Sequence, residues 1–234
     1  MRTFVINLNR NPERLEFMRS QLTRLGIDFE RFPAIYGKEL SPEIRARDFA
    51  KKRSLIAAKK RLSDAEIGVA LSHLGCYKRM IEAKTPYALI LEDDVVIAEE
   101  IHETLSRVTK FLNCDEPQVV VLSGYGVENA ERLAPQIREE SSIWCADAYC
   151  LNLKAAQLIY DANYPVRTVA DSFKRWRRFY GLKLYRALPA TARQDDVRFG
   201  SENLVLPKSN WLVRNLLWLI DRVLIALEGG KHSV

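Results

Sequence analysis

Three acidic residues in a row, Glu92, Asp93 and Asp94, directly follow an apolar run at residues 87–91 that predicts a buried β-strand. Carboxylates beside a hydrophobic core are costly unless a cation or hydrogen-bond donors compensate their charge. Alternate side chains of an extended chain share a face, so we expect Glu92 and Asp94 to project together and Asp93 to point the other way. Such oxygen ligands suit Mg²⁺ or Mn²⁺, which commonly bridge a carboxylate to a substrate's phosphates. The triplet therefore predicts a divalent cation site, with a helix N-cap as the structural alternative.

A polar segment after the first apolar run of the chain could bind an anion. It contains Asn7, Asn9, Arg10 and Arg14, and the two arginines stand near the expected start of a helix. Guanidinium groups match phosphate oxygens in shape and charge, and helix N-termini attract anions. These residues are therefore candidates for contacts with a phosphate or a nucleobase edge. The alternative for Arg10 and Arg14 is a solvated first helical turn.

A further candidate is His73, which follows Ser72 in a largely apolar stretch at residues 67–81. A histidine inside a buried helix is either a hydrogen-bonded core residue or a contact for a bound group. Gly68 in the same stretch would let another group approach the helix backbone closely, whether a bound molecule or a neighbouring strand.

The elements that must position these residues follow from the hydrophobic pattern. Strands are predicted at residues 3–8, 27–35, 87–91, 119–122 and 143–151, and helices at residues 13–25, 67–81 and 155–162. A capping box at residues 63–66 marks the start of the second helix. Strands that alternate with helices are typical of α/β folds with a parallel or mostly parallel sheet.

The composition bounds the class of protein. A chain of 234 residues accommodates one large α/β domain, or one domain with an appendage. With 47% hydrophobic and 28% charged residues, it is neither disordered nor a collagen-like or disulfide-rich scaffold. The net charge of +6 favours anionic partners. No recognition motif for nucleic acid accompanies this charge, so a basic nucleic-acid- or membrane-binding module without catalysis stands only as the alternative to an enzyme.

The cysteines and the N-terminus bear on the compartment. Cys76, Cys114, Cys145 and Cys150 form no CxxC pair, which predicts reduced thiols in a cytosolic compartment. The apolar run at the N-terminus is too short for a signal peptide and is followed at once by charged residues. Both observations place the expected site of action on the cytoplasmic side.

The C-terminal residues 206–234 are expected to form an amphipathic helix attached to a main domain at residues 1–205. Polar side chains recur seven residues apart on an otherwise apolar helix, namely Arg214, Asn215, Asp221 and Arg222. Such a helix lies in a membrane interface, packs on its own domain or pairs with a second subunit. The basic surplus favours the membrane interface, with contact through residues 211–228.

Three blocks of sequence, at residues 5–14, 66–74 and 91–95, resemble in order and spacing those of glycosyltransferase family 25. This family contains bacterial lipooligosaccharide galactosyl- and glucosyltransferases. The resemblance covers roughly residues 3–205 and implies a GT-A-type nucleotide-sugar-binding fold, a Rossmann-like mixed sheet flanked by helices. It implies that a DxD-like motif, here residues 92–94, holds Mn²⁺ or Mg²⁺. It also implies transfer of a hexose, with galactose favoured over glucose, from a UDP-sugar to a lipid-linked oligosaccharide, with inversion by direct displacement.

The resemblance also assigns roles to residues. Asp94, together with Glu92, is expected to bind the metal. Asp171 is expected to be the general base and Asp147 is the second candidate, although either could instead cap a helix. The residues expected to bind the donor are Asn7, Leu8, Asn9, Arg10, Arg14, Gly68, His73, Glu92, Asp93 and Gln194. Ser201 and Asn203 belong to the segment that resembles the family's closing loop. With a lipid-linked acceptor, the protein is expected on the cytoplasmic face of the inner membrane.

Overall fold

A mixed sheet of seven strands lies at the centre of the computed structural model, which describes residues 1–113, 115–199 and 211–229. The strands are β1 (Arg2–Asn7), β2 (Glu30–Pro33), β3 (Tyr87–Glu92), β4 (Val95–Ile97), β5 (Gln118–Val121), β6 (Gln136–Glu139), β7 (Ala148–Asn152), β8 (Lys183–Leu188) and β9 (Ala192–Gln194). The helices are α1 (Pro12–Arg24), α2 (Pro42–Asp48), α3 (Lys51–Ala58), α4 (Asp64–Glu82), α5 (Ile101–Phe111), α6 (Leu153–Asn163), α7 (Phe173–Tyr180), α8 (Asp196–Phe199) and α9 (Trp211–Gly229).

The sheet order is β2-β1-β3-β7-β5-β8-β6, and β4 and β9 form a separate antiparallel pair. β1 is parallel to β2 and β3, and β5 is parallel to β8. β7, inserted between β3 and β5, and β6 at the edge are antiparallel to their neighbours. The carboxyl ends of β1, β3, β5 and β8 therefore meet at one edge of the sheet, where ligands bind in open α/β folds. The predicted α/β class with a mixed, mostly parallel sheet is confirmed.

The central strands are buried on both faces. Phe4 and Ile90 face the layer of α4 and α6, whereas Val5, Leu89 and Leu91 face the layer of α1 and α5. This alternation follows from the pleat of the strands. Burial of each such side chain contributes about 1.5–3 kcal/mol relative to exposure. A strand covered on both faces reads as a continuous apolar run, and β3 was recognisable from the sequence for this reason.

Helix α4 begins with the predicted capping box. The Ser63 hydroxyl accepts a hydrogen bond from the Glu66 N–H at 3.2 Å, and the Glu66 carboxylate accepts one from the Ser63 N–H at 2.8 Å. A cap of this kind contributes about 1 kcal/mol and fixes the residue at which the helix starts. The buried face of α4, which includes Leu71, His73 and Leu74, packs beside the sheet.

Two predictions about strands need correction. A strand at residues 143–151 is right only in its second half, where β7 lies. Ile143 and Ala146 are buried in a segment that belongs to no strand, so their apolar character reports burial rather than strand pairing. β2 is shorter than predicted and covers Glu30–Pro33. β8 was missed because charged residues such as Arg186 interrupt its apolar pattern.

Three of the four cysteines lie among the described residues. Cys76, Cys145 and Cys150 are free, and burial raises the pKa of each thiol. A raised pKa keeps a thiol in its unreactive protonated form. Cys114, Ser201 and Asn203 lie outside the described residues.

Helix α9 packs on the rest of the domain, which was one of the three arrangements expected for it. Asp221 is buried and forms an ion pair with Arg175 of α7, and Ile225 is buried beside it. α9 also contacts α3, where Arg53 lies 3.9 Å from Asp221. Within the described part of the chain, no helix has the length and apolar content required to cross a bilayer.

Candidate active site

The acidic triplet ends β3 and begins a turn. Glu92 is the last residue of β3, and Asp93 and Asp94 form the turn into β4. Arg14 Nη1 lies 3.2 Å from Asp93 Oδ1 and 3.4 Å from Asp94 Oδ2. The prediction that Asp93 points away from its neighbours is therefore wrong, because the alternation of the extended chain stops at Glu92. The helix-cap alternative is excluded as well, since β4 follows the turn and the N-cap of α5 is Glu100.

The turn faces a cleft of about 160 Å³ at the carboxyl edge of β1 and β3. Its walls come from the end of β1, the start of α1, the loop after β2 and the first half of α4. The lining residues are Ile6, Leu8, Asn11, Arg14, Ala34, Ile35, Tyr36, Gly37, Ala65, Val69, Ser72, His73, Glu92, Asp93, Asp94 and Gln194. Seven of the candidate residues from the sequence therefore lie together in one place, namely Leu8, Arg14, His73, Glu92, Asp93, Asp94 and Gln194.

Asn7 is buried at the end of β1 and supports the acidic turn. It is 1% exposed, and its Nδ2 donates to Asp93 Oδ2 at 2.7 Å and to the Asn11 carbonyl at 2.9 Å. Arg31 Nε donates to Asn7 Oδ1 at 2.9 Å, and Arg31 Nη2 donates to Asn9 Oδ1 at 2.6 Å. Sequence reasoning missed Arg31, because its contact with Asn7 depends on the pairing of β2 with β1. Asn7 thus acts from inside the protein, while Asn9 is held at its surface.

The segment after β8 closes against the acidic turn. Gln194 Nε2 donates to Asp94 Oδ2 at 3.2 Å, and the Asp195 N–H donates to the Asp94 carbonyl at 2.8 Å. Arg14 Nη2 donates to the Phe199 carbonyl at 3.1 Å, and the Arg14 guanidinium lies 4.9 Å from the centroid of the Phe199 ring. Arg14 and Gln194 therefore link the late β9–α8 segment to the cleft.

The loop after β2 forms another wall of the cleft, and Gly68 determines where it lies. A Cβ at Gly68 would stand 2.4 Å from the Ile35 carbonyl oxygen, so only glycine lets this loop rest on α4. Of the two interpretations of Gly68, close approach to a neighbouring segment of the chain is the one observed. Tyr36 of the loop lines the cleft, and the Arg10 guanidinium lies over its ring, 4.1 Å from the centroid.

His73 connects the acidic triplet to two buried tyrosines. Its Nε2 lies 3.2 Å from Glu92 Oε1 and its Nδ1 lies 2.7 Å from the Tyr149 hydroxyl, which is 2.5 Å from the Tyr77 hydroxyl. Burial lowers the pKa of His73 to about 4. The ring is therefore neutral at neutral pH, with one donor and one acceptor nitrogen. His73 is therefore a hydrogen-bonded core residue that also lines the cleft, where it stays a candidate for contact with a bound group.

The carboxyl groups at the cleft repel one another. Burial, followed by the charges of Asp147, Asp93 and Asp171, raises the pKa of Glu92 to about 8. Burial and the charge of Glu92 raise the pKa of Asp94 to about 6. Asp94 Oδ1 is buried and has no hydrogen-bond partner. This group of acids can therefore accept further positive charge from a bound ligand.

The sequence around this cleft matches that of a known protein family. The family described as Glycosyltransferase family 25 (LPS biosynthesis protein) matches residues 1–174, a range that contains every residue lining the cleft except Gln194. The chain belongs to glycosyltransferase family 25. The mixed sheet flanked by helices that the resemblance implied is the architecture of this family 25 chain.

Two relatives and one solved structure illustrate the comparison. A Glycosyltransferase 25 family member of Drosophila pseudoobscura pseudoobscura is 30% identical over 150 residues, which are 62% of this chain and 22% of that protein. A Haemophilus influenzae protein provisionally named a glycosyltransferase is 28% identical over 210 residues, which are 83% of this chain and 70% of that protein. The family 25 chain therefore spans only about a fifth of the length of the insect relative. A galactosyltransferase solved with donor and acceptor sugar analogues aligns with 77% of this chain and 65% of its own, at 13% identity and a TM-score of 0.37.

Asp94 and Glu92 of this family 25 chain suit a divalent cation shared with a phosphate ligand. The unpartnered, buried Asp94 Oδ1 is an oxygen of the kind that Mg²⁺ and Mn²⁺ bind. Mg²⁺ is usually held by one or two carboxylates and completes its coordination with water and substrate phosphates. In the described ranges no three His, Cys, Asp or Glu side chains converge as a metal centre of their own. A cation shared with a substrate does not require such a centre.

The two candidate bases of the family 25 chain differ in environment. Asp147 is buried, and its Oδ1 accepts a hydrogen bond from the Ala148 N–H at 2.8 Å. Asp171 is half-buried, and burial raises its pKa to about 6. Helix α7 has Ser172 as its N-cap and no side-chain cap bond, so Asp171 does not cap it. Neither aspartate lines the cleft itself, but both are near enough to raise the pKa of Glu92.

Proposed function

We propose that this family 25 glycosyltransferase moves a hexose from a UDP-sugar to a lipooligosaccharide or lipopolysaccharide acceptor and depends on a divalent cation. The observation that carries the proposal is the acidic turn at the carboxyl edge of the sheet, where Asp94 Oδ1 is buried without a partner. A cation and a diphosphate would together satisfy this oxygen. The description of the family as one of LPS biosynthesis proteins supports the class of acceptor.

The side chains around the cleft suit the parts of a UDP-sugar. Leu8 and Tyr36 offer apolar and aromatic surface for a nucleobase. Arg14 at the acidic turn and Arg10 over Tyr36 offer guanidinium groups for phosphate oxygens. Gln194, His73 and the acidic turn line the same cleft. Asn7 and Gly68 contribute indirectly, through the position of Asp93 and of the loop after β2.

A Mn²⁺ or Mg²⁺ ion held by Asp94 with Glu92 would neutralise charge on the departing diphosphate. Arg14 adds its positive charge at the same place, and His73 holds the Glu92 carboxyl in its orientation. Asp93 is engaged by Asn7 and Arg14, so its contribution is to fix the turn. With the leaving group stabilised by these charges, no strong general acid is required.

Asp171 is the proposed general base. Its pKa of about 6 leaves the carboxylate ionised at neutral pH, and yet basic enough to take a proton. The acceptor hydroxyl oxygen bonds to the anomeric carbon while the bond from that carbon to the diphosphate oxygen breaks. The electron pair leaves with UDP and the hydroxyl proton passes to Asp171. Such direct displacement inverts the anomeric centre. Asp147 is the second candidate for the same role.

The donor sugar and the place of action complete the proposal. Galactose is proposed ahead of glucose, which follows the preference stated with the resemblance to lipooligosaccharide galactosyl- and glucosyltransferases. The cytoplasmic face of the inner membrane is the proposed location, since a nucleotide sugar in solution would meet a lipid-linked acceptor there. Release of UDP, measured across a panel of UDP-sugars with and without acceptor, tests the donor. Equal turnover of UDP-glucose and UDP-galactose would contradict the proposed preference.

Asp94→Asn is the direct test of the cation site. The substitution removes a charge but preserves shape, so we expect transfer to fall by about 10²–10³-fold, as for loss of one electrostatic contact to the transition state. The thermal unfolding midpoint should stay near that of the wild type, because relief of the buried repulsion with Glu92 offsets the weakened contact with Arg14. Asp161→Asn, at an exposed position on α6, is the matched control and should retain full activity. Full activity of Asp94→Asn would place the cation elsewhere.

Ligand-induced stabilisation separates the enzyme from the non-catalytic alternative. UDP with Mn²⁺ should raise the unfolding midpoint of the wild type, and EDTA should abolish the rise, because only the folded protein binds the pair. The control is UDP with EDTA from the start. No response to UDP with Mn²⁺, together with salt-sensitive binding to DNA, would favour a basic nucleic-acid binder.

A further inference from the structure

Helix α9 packs on the domain with an acidic side chain buried and several leucine side chains exposed to solvent. Asp221 is 1% exposed, whereas Leu219 and Val223, close to it in the helix, are 55% and 54% exposed. Among the described side chains of this helix, the large apolar ones that are exposed are Leu216, Leu219, Ile220, Val223 and Leu227. Their spacing of three and four residues places them in one continuous stripe along the helix, and we call it the α9 apolar face. A surface helix of a soluble domain ordinarily turns such a stripe inward.

The orientation of α9 is fixed by the buried acid. Asp221 pairs with Arg175 through two hydrogen bonds, one of them at 3.0 Å, and Arg53 of α3 lies 3.9 Å away. Removal of one partner from a buried ion pair leaves an uncompensated charge and is strongly unfavourable. Rotation of α9 to bury its leucines would expose Ile225 and break this pair. The domain therefore holds the α9 apolar face outward.

The surroundings of the α9 apolar face are basic. Helix α7 carries Lys174, Arg175, Arg177 and Arg178 and no acidic residue. The Arg178 guanidinium lies 5.4 Å from the centroid of the Trp218 ring, and the Arg222 guanidinium lies 4.8 Å from the same centroid. Tryptophan flanked by arginines is typical of side chains at the boundary between lipid and water. Apolar and cationic groups thus lie side by side on this surface.

We propose that the α9 apolar face and the basic residues of α7 dock the protein onto a bilayer that contains anionic lipids. α9 would lie in the plane of the interface, with its leucines among the acyl chains and Lys174, Arg178 and Arg222 at the headgroups. A second copy of the chain fits this surface less well, because it would bring the arginines of both copies together. The inference deepens the proposed function, on which it rests for its purpose, since it brings the cleft to the surface that would carry a lipid-linked acceptor.

Vesicle flotation with the full chain tests the proposal. The wild type should float with vesicles of phosphatidylcholine mixed with phosphatidylglycerol, less with phosphatidylcholine alone, and less in high salt. Leu219→Glu/Val223→Glu should reduce the bound fraction at least about tenfold, because it places two carboxylates in the apolar face. Ile44→Glu/Tyr125→Glu is the matched control, since it adds the same two charges at exposed apolar positions of other elements and should float like the wild type.

A second measurement does not depend on the stability of the double variant. Vesicles with brominated acyl chains should quench part of the tryptophan fluorescence of the wild type, and Trp218→Phe should lose that quenched part. Failure of the wild type to bind anionic vesicles overturns the proposal. So does equal flotation of the two double variants. A dimer in light scattering that Leu219→Glu/Val223→Glu dissociates, without any vesicle binding, would assign the face to a second copy.

Hydrolysis of the donor in solution distinguishes failure of this inference from failure of the proposed function. Leu219→Glu/Val223→Glu lies outside the cleft, so it should release UDP from the donor at the wild-type rate. If the wild type floats on anionic vesicles but releases no UDP from any UDP-sugar, the proposed function fails and the docking surface stands. If the wild type releases UDP but does not float, the docking surface fails and the proposed function stands.

Discussion

At the cleft, neighbouring side chains hold the acidic residues in position. Asn7 holds Asp93 through a hydrogen bond of 2.7 Å, and His73 lies 3.2 Å from Glu92. Such support keeps a carboxylate in one rotamer before a ligand arrives, which lowers the cost of binding. Asp171 differs from these residues, because it stands outside the lined cleft and has a pKa that burial raises to about 6.

The raised pKa of Asp171 therefore predicts how transfer depends on pH. A base acts in its ionised form, so kcat should rise with pH up to about 6 and level off above it, when Mn²⁺ is saturating and Asp94 is ionised. Asp171→Asn should lower kcat by about 10²–10⁴-fold and remove the acid limb of the profile. Asp147→Asn is the comparison variant and should keep the limb. If Asp147→Asn removes the limb and Asp171→Asn does not, the two roles are exchanged.

The acids of the site were predictable from the sequence, whereas their supports were not. Glu92, Asp93 and Asp94 could be identified from the sequence because charges directly after a buried strand are costly unless a ligand or a donor compensates them. Arg31 and Tyr149 come from distant parts of the chain, and nothing in their local sequence shows that they reach Asn7 and His73. The direction of Asp93 was wrong for a local reason, since one residue in a turn ends the alternation of a strand.

The contact between α4 and the loop after β2 is the element that shapes the cleft. Gly68 permits it, because a Cβ there would lie 2.4 Å from the Ile35 carbonyl oxygen and 2.7 Å from the Gly37 nitrogen. Both of these are backbone atoms, which cannot move out of the way as the end of a flexible side chain can. Any larger residue at position 68 must therefore push the loop, and Tyr36 with it, away from α4.

Gly68→Ala should consequently weaken both stability and nucleotide binding. Overpacking of this kind costs about 1–3 kcal/mol of unfolding free energy, and we expect the Kd for UDP with Mn²⁺ to rise by about tenfold. Denaturant unfolding and calorimetric titration measure the two effects. Lys78→Ala, an exposed change on the same helix, is the control and should stay within about 0.5 kcal/mol of the wild type. Wild-type values for Gly68→Ala would show that the loop does not depend on this contact.

Elements with strong local signals were predictable, and their arrangement was only partly so. β3 and α4 follow from an apolar run and a capping box, both of which are local. β8 pairs with β5 and β6 in spite of its charged residues, because tertiary contacts decide strand pairing. The heptad spacing of polar residues identified α9 as amphipathic. It could not show that Asp221 would face inward, since that depends on Arg175 in another helix.

The charges of the cleft affect the stability of the whole protein. In the folded state without metal, Glu92 has a pKa of about 8 against an ordinary value of 4.5, so the folded protein keeps a proton that the unfolded chain releases. Stability is therefore lost as pH rises through this window. His73 acts in the opposite sense, with a pKa lowered from 6.5 to about 4, and its effect is nearly complete about one pH unit above 6.5. The raised pKa values of Asp94 and Asp171, each about 6, act below that pH.

Between about pH 7 and 8, Glu92 accounts for most of the difference in titration between the folded and unfolded states among these four groups. The unfolding free energy of the wild type in EDTA should fall across this range, with a slope of at most about 1.4 kcal/mol per pH unit for one proton. The measured slope should be smaller than this limit, because 28% of the Glu92 side chain is exposed to screening solvent. Glu92→Gln cannot titrate, and its unfolding free energy should stay level over the range in urea unfolding. Parallel slopes for the two proteins would show that the carboxyl at the end of β3 is already ionised at neutral pH, and the acidic turn would then have to be neutralised from within the chain.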